Sequence, residues 1–441
     1  NIITRKAKSS YIESGYGYGM YDTKKRSIDL AFNSGSTELG LSVNSNKTDG
    51  YKIRTDSDIE RGYENLTTNF HIGQAFQNSD ITLRHWRTSG TVEYLDFFLT
   101  AIDQDFINES SAIEINNNFK NNIQSKVIIS RVQDDIKQNQ STANVYSKRN
   151  IFDGQISMVT ESHNITGGLY LSDEQASSFA WGSGFNKDTQ SNAIFIQDHI
   201  SEGNHRVFIA ARLSDHETFG EETTWNAEYG LSISDQWSIS ASAGHAFRAP
   251  DATDRYGYGG NINLKPEVSD DIQLNVAFRP DDDTTYRLEL FDTKIENLIE
   301  YDFTKDQMLN IGQASMRGLQ LSYHLINENY SIRADYINQK AENDINKTLL
   351  LRRPKQSFTL NISKKLQNFD FGLSLLASGE RNDFGVTLPG YAIVNLTGQF
   401  KLNDTWTINT QIENILDKHY ETAAKYRMQG RSVFFDLTRR W

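Results

Sequence analysis

The sequence predicts an all-β fold: a transmembrane, antiparallel, up-and-down β-barrel of about 22 strands. Three observations carry that prediction. Apolar and polar residues alternate with a period of two along most of the chain, short and long connections alternate in turn, and aromatic residues mark the short ones.

The alternation is clearest in the second half. Ile272, Leu274, Val276 and Phe278 alternate with Asp271, Gln273, Asn275 and Ala277. Val207, Ile209, Ala211 and Leu213 do the same against Arg206, Phe208, Ala210 and Arg212, and Phe358, Leu360 and Ile362 against Thr359, Asn361 and Ser363. Tyr286, Leu288 and Leu290 alternate with Arg287 and Glu289. Successive strand residues point to opposite faces, so each segment has one apolar and one polar face. In hydrocarbon every backbone N–H and C=O must be paired, which forces such a sheet to close on itself.

The connections read as short turns at SEGNH (201–205), SDQ (234–236), PDDDTT (280–285), NENY (327–330), LQN (366–368) and NDT (403–405). Between them lie long polar stretches at about 45–64, 89–108, 133–150, 174–191, 248–269, 295–314, 341–355, 380–390 and 416–430. Strict alternation sends every long loop to one side, the extracellular one, and leaves short periplasmic turns on the other. An even strand count puts both chain ends on the periplasmic side.

Trp237, Tyr286, Tyr330, Phe369 and Trp406 sit at or just after short turns, and Trp441 ends the last strand. Rings at one height form a membrane girdle. In RSVFFDLTRRW the apolar face is Val433, Phe435, Leu437 and Trp441, a terminal pattern like the signal that barrel-assembly machinery reads. Arg439 interrupts that face, where a long side chain can snorkel.

Composition agrees. The chain has 441 residues, 5 Pro and no Cys, which excludes a disulfide framework and thiol chemistry. Mean hydropathy is −0.59, as expected where only alternate residues meet lipid. The net charge of −12 argues against a nucleic-acid surface. Nine histidines are scattered, and Asp215–His216 has no evident serine partner, so no catalytic site is expected.

HAFRAPDATDRYGYGGNINLKPEVSDDIQLNV (245–276) resembles a pattern of the TonB-dependent outer-membrane receptors, through Phe247, Arg248, Ala249, Pro250, Asn263, Leu264, Pro266 and Glu267. Asn310, Gly312, Ala314, Arg317 and Gly318 resemble a second step of that family, and Arg212, Asp215, His216, Phe219 and Gly220 a third. ENILDKHYET (413–422) with Gly430 and Arg431 is similar to the close of these barrels. Within the family, YGYGGN, LLLRRPKQS, FDFGLSL and DKHYETAAKY are most like the cobalamin (vitamin B12) receptors. Asn1–Thr4 resemble the end of an N-terminal plug, so residues 1–9 are expected to be a remnant of the plug–barrel junction and 10–441 the barrel.

The resemblance implies an outer-membrane, TonB-dependent transporter of a bulky, scarce metal chelate such as cobalamin. TonB would act only through the plug, which is expected to be absent from these residues. A siderophore or haem receptor barrel and a plug-free passive pore are the alternatives. Outer-membrane lipid and the barrel-assembly machinery are the other expected partners; nucleic acid is not.

Two groups of side chains are candidate sites. Asp254, Arg255, Tyr256, Tyr258 and Asn261 combine rings with hydrogen-bonding groups, as suits a large amphipathic ligand, or else brace a tight turn around Gly257, Gly259 and Gly260. Tyr94, Asp96, Asp103, Asp105, Asp134 and Asp135 place hard oxygen ligands in long loops. By the resemblance they would order those loops around calcium; otherwise they are solvated acids. No cofactor is required. Inward polar residues such as Asp271, Gln273, Asn275, Arg287 and Glu289 either meet a plug or line a wet pore.

Overall fold

A computed structural model describes residues 9–120 and 122–441. The expected plug-junction segment Asn1–Thr4 lies outside them. Among the described residues no helix is long and apolar enough to cross a membrane; strands make the crossing instead.

A single 22-stranded sheet runs from Tyr11–Gly19 to Ser432–Arg440. Each strand pairs antiparallel with its chain neighbour, and the last pairs with the first from Glu13↔Arg440 to Gly19↔Phe434. The sheet therefore has no edge, and its backbone groups are satisfied around the ring. Strand number, start and antiparallel order are those the alternation predicts.

Register carries the two faces around the wall. Asp271 pairs with Gly244, then the row passes through Asn226, Ala210, Gln197 and Thr166. A neighbouring row of opposite parity reads Leu231, Ile239, Val276, Leu288, Leu321, Tyr336 and Phe358. Apolar rows meet lipid and polar rows face the lumen, because a one-residue slip anywhere would exchange them.

Four of the expected long loops are corrected. The stretches 45–64, 89–108, 133–150 and 174–191 are mostly strand, and only 53–59, 96–100, 139–143 and 181–182 connect them. The eight strands from Thr37–Lys52 to Ser183–Glu202 hold 16 to 20 residues each. A tilted strand crosses a bilayer in about 9–11 residues, so these hairpins continue beyond the apolar band as a polar wall. Their sequence reads as loop because both faces are wet there.

The strands from His205–His216 onward hold 8 to 14 residues, and here the outer connections are folded loops. The segment 249–266 contains a short helix, Ala252–Tyr256. Hairpins Ile299–Asp302 with Gln307–Asn310, Arg381–Asp383 with Val386–Leu388, and Glu421–Ala423 with Tyr426–Arg427 rise from three others.

At the opposite end, Trp237 stacks on Phe278 with centroids 4.5 Å apart, and Phe278 and Tyr286, then Tyr286 and Tyr323, follow at 6.1 and 5.1 Å. This ladder crosses four strands on the apolar face. Arg439 lies over the rings of both Trp406 and Trp441, 5.2 and 4.5 Å from their centroids, which gives its cation an aromatic partner. Lys364 covers Tyr330 in the same way at 5.0 Å.

Candidate ligand site at the outer mouth

The loop 249–266 is one of the folded outer connections at the mouth, with its helix against strands 163–180 and 183–202. Its two ends are joined by a salt bridge, Arg248 Nε to Glu267 at 2.9 Å, between directly opposed strand residues. Glu267 also accepts from Ile299 N–H at 2.8 Å, tying the loop to the next hairpin. Leu264 is buried beneath the loop, as is Pro250. These motif residues thus shape the mouth.

Asp251 caps the short helix by accepting from Asp254 N–H at 2.8 Å, and Asp254 reciprocates to Asp251 N–H, a capping box. Asp254 also accepts from Arg248 at 3.3 Å. Burial raises the Asp254 carboxyl above its ordinary value, helped by the nearby Asp251 charge. Asn261 donates to Met308 C=O at 3.0 Å and accepts from Asn263 N–H. Tyr258 donates to Asp306 at 2.8 Å, and Tyr301 donates to the same carboxylate. Gly259, at φ +65°, leaves no room for a side chain beside Tyr301. Asp254, Tyr258 and Asn261 therefore make bonds that brace this loop and fasten it to the 299–310 hairpin.

Arg255 and Tyr256 face elsewhere. They close a cavity of about 280 Å³ between the helix and the inner wall of strands 144–159, 163–180 and 183–202. Beside it lies a luminal recess of about 690 Å³ that includes Asp153, Gln197, Arg212, Asn226 and Asp271. His216 borders the small cavity. His216 also accepts from Thr218 N–H, and Gly220 turns the tip at φ +74°.

The acidic candidates do not converge. Tyr94, Asp103, Asp105, Asp134 and Asp135 are strand residues, and only Asp96 lies in a connection. Register puts Asp134 and Asp135 on opposite faces. Asp96 accepts from Phe98 and Thr100 N–H groups within its own turn. Asp103 accepts from Gln140 at 2.7 Å, Asp105 from Thr91 at 2.7 Å, and Asp135 pairs with Lys137 at 3.0 Å. Among the described residues no group of three or more His, Cys, Asp or Glu side chains is placed to hold a metal ion.

A buried polar latch escaped the sequence reading. Asp383 has no side-chain exposure and accepts from Arg352 at 3.0 Å, Phe384 N–H at 3.0 Å and Ala424 N–H at 2.6 Å. Burial pushes its carboxyl up, but the Ala424 N–H, Arg352 and Phe384 N–H together outweigh that and hold it below the ordinary value. Arg381 donates to the carbonyls of Glu421 and Thr422 and lies over Tyr391. Beyond it, Thr55 N–H bonds Lys425 C=O at 2.9 Å, and Lys425 pairs with Asp56 at 3.3 Å. Four outer connections, 53–59, 344–355, 379–390 and 414–431, are thereby tied together across the junction of first and last strands. The closing motif serves the same loop: Asn414 binds Lys418 and Gln429 carbonyls, Asp417 accepts from Arg431 N–H, and a Cβ at Gly430 would crowd Asp417.

Residues 7–415 match the family described as TonB dependent receptor-like, beta-barrel. The chain belongs to that family. It is accordingly an outer-membrane transporter barrel rather than an enzyme. The vitamin B12 transporter BtuB of Vibrio vulnificus is 24% identical over 463 aligned positions, covering 97% of this chain and 74% of that protein. That of Vibrio cholerae serotype O1 is 27% identical over 51% of this chain and 38% of its own length. Among solved structures, the siderophore receptor PirA of Acinetobacter baumannii superposes with a TM-score of 0.85 at 13% identity, over 100% of this chain and 82% of that one. The ferric-catecholate import receptor Fiu of E. coli K12 gives 0.84 at 12%, over 100% and 83%. These structural likenesses establish the shared fold.

Proposed function

We propose that this barrel forms the wall and outer mouth of a TonB-energised transporter for a bulky metal chelate, and that the chelate is cobalamin. The alignment with a vitamin B12 transporter over 97% of the chain carries this reading. Arg255 and Tyr256, at the cavity beneath the 249–266 loop, are the residues of the mouth best placed to touch the ligand. Asp254, Tyr258 and Asn261 hold that loop in position. Energy from TonB would reach the ligand through a plug within the lumen, against polar residues such as Asp271 and Gln273. The turn-side rings from Trp237 to Trp441 are read as the girdle at the inner interface.

The test is uptake and binding of labelled cobalamin in cells that lack their own receptor and express this protein in their outer membrane. Saturable cobalamin binding, with ferric siderophores failing to compete, is the expected result. Siderophore binding without cobalamin binding would retire the substrate while leaving the transporter barrel intact.

A further inference from the structure

Three cations stand against rings at the cavity under the 252–256 helix and at the luminal recess beside it. Lys187 lies 4.8 Å from the Tyr256 ring centroid, Arg255 lies 4.8 and 5.1 Å from those of Tyr256 and Phe219, and Arg212 lies 5.0 Å from that of Tyr170. Lys187 and Arg212 stand on strand positions of luminal parity, opposite the helix. Among the described residues none of these three cations has a carboxylate oxygen within the 4.0 Å of a salt bridge. Of the nearby acids, Glu174 is taken by Arg149, Asp251 by Asp254 N–H and Glu217 by Gln190 N–H, while Asp153 and Asp271 share the luminal recess with Arg212 without forming a salt bridge to it. Among the described residues the Arg255 side chain hydrogen-bonds only the Thr218 hydroxyl, at 3.2 Å, and its Nε is buried without a partner.

A chain of net charge −12 thus keeps three cations outside any salt bridge among the described residues, each against a ring, where the helix cavity and the neighbouring luminal recess adjoin. Rings hold a cation in place but leave its N–H groups free for an anion, and such charge-assisted bonds are the stronger kind. We propose that Arg255, Lys187 and Arg212 form an anion-recognition subsite that takes an acidic group of the transported ligand, with Tyr256 and Tyr170 against its flat apolar part. The inference rests on the cobalamin reading. In cobalamin the acidic group is the phosphodiester of the nucleotide arm.

The test compares cobalamin with cobinamide, which keeps the corrin ring but lacks the phosphodiester, using protein purified from outer membranes. Wild type should bind cobalamin at least about tenfold more tightly than cobinamide, a difference of one charge-assisted contact. In the Arg255→Gln/Lys187→Gln variant the two affinities should converge to within about twofold, by loss of cobalamin affinity alone. Salt should weaken cobalamin binding to wild type and not to the variant. Heat-modifiable gel migration checks that the variant barrel has folded, and Lys187→Gln alone, at an exposed position, serves if the double variant has not. Equal wild-type affinities, or an equal loss for both ligands in the variant, would overturn the subsite and leave the cargo assignment standing. Binding of neither ligand to wild type would overturn the cargo assignment and this inference with it.

Discussion

The two halves of the barrel reach the outside by different means. Between Thr37 and Glu202 the strands themselves grow taller, ending in tight tips, and each added rung supplies its own backbone partners. From His205 onward the strands stop lower and the connections fold into a helix and hairpins held by side chains such as Arg248, Asp383 and Asn414. Ladder hydrogen bonds are local and need little from the sequence. A folded loop needs particular buried polar partners, and loses much when one is removed. The first half is accordingly a wall, whose luminal face carries Tyr170 and Lys187, and the second supplies the folded loops that face it.

The largest effect that would sharpen this contrast is at the latch. Asp383→Ala leaves the Phe384 and Ala424 N–H groups without their acceptor and the half-exposed Arg352 without its carboxylate, at a cost of roughly 3 kcal/mol of local stability. Hydrogen exchange in 381–388 and 421–427 should rise by about two orders of magnitude, with the wall strands unchanged. Acid should act on the same place. The Asp383 carboxyl is held below its ordinary value in the folded latch, so the opened latch binds the extra proton. The stabilisation is complete above the ordinary carboxyl pKa of about 4 and is lost as pH falls through the lower folded value. Proteolysis at descending pH should open 381–388 and 421–427 before any wall tip, and simultaneous opening would break the contrast.

A smaller effect is expected at the inner end. Trp237→Ala removes the first ring of the ladder on Phe278 and Tyr286, which costs about 1 kcal/mol beyond its lipid contacts in urea unfolding from vesicles. The smallest is at a wall tip. Phe97 and Phe98 are 87% and 73% exposed, so Phe97→Ser/Phe98→Ser should change barrel stability by less than about 0.5 kcal/mol. A larger loss would show that the tip packs against something.

Much of the architecture was legible in the sequence because period-2 patterning reports the lipid boundary directly. Ile272 to Phe278 and the turns at 234–236 and 366–368 fix strand parity without any tertiary information. Where strands leave the membrane the signal disappears: Asp103 and Asp105 in Ala101–Asn118 are as polar as a loop, yet are paired rungs. The ladder partners Phe278 and Tyr323 precede their turns by only a few residues, and attention to both sides of each turn would have found them. Asp383 and Arg381 carry no such signal. They sit in a polar tract, and only the fold brings Ala424 and Glu421 to them. Of the ligand candidates, the sequence grouped five neighbours, and the helix then divides them into braces and cavity-facing residues.

Hydrogen exchange read by mass spectrometry, with and without cobalamin, tests the division into wall and recognition surface most directly. Without ligand, 89–95, 101–108, 133–138 and 174–180 should exchange slowly, as ladder strands, while the mouth segment 249–266 exchanges faster. Added cobalamin should protect 249–266 and the facing luminal rungs near Tyr170 and Lys187. Fast exchange throughout 89–108 and 174–191, or ligand protection confined to the wall tips, would contradict the account.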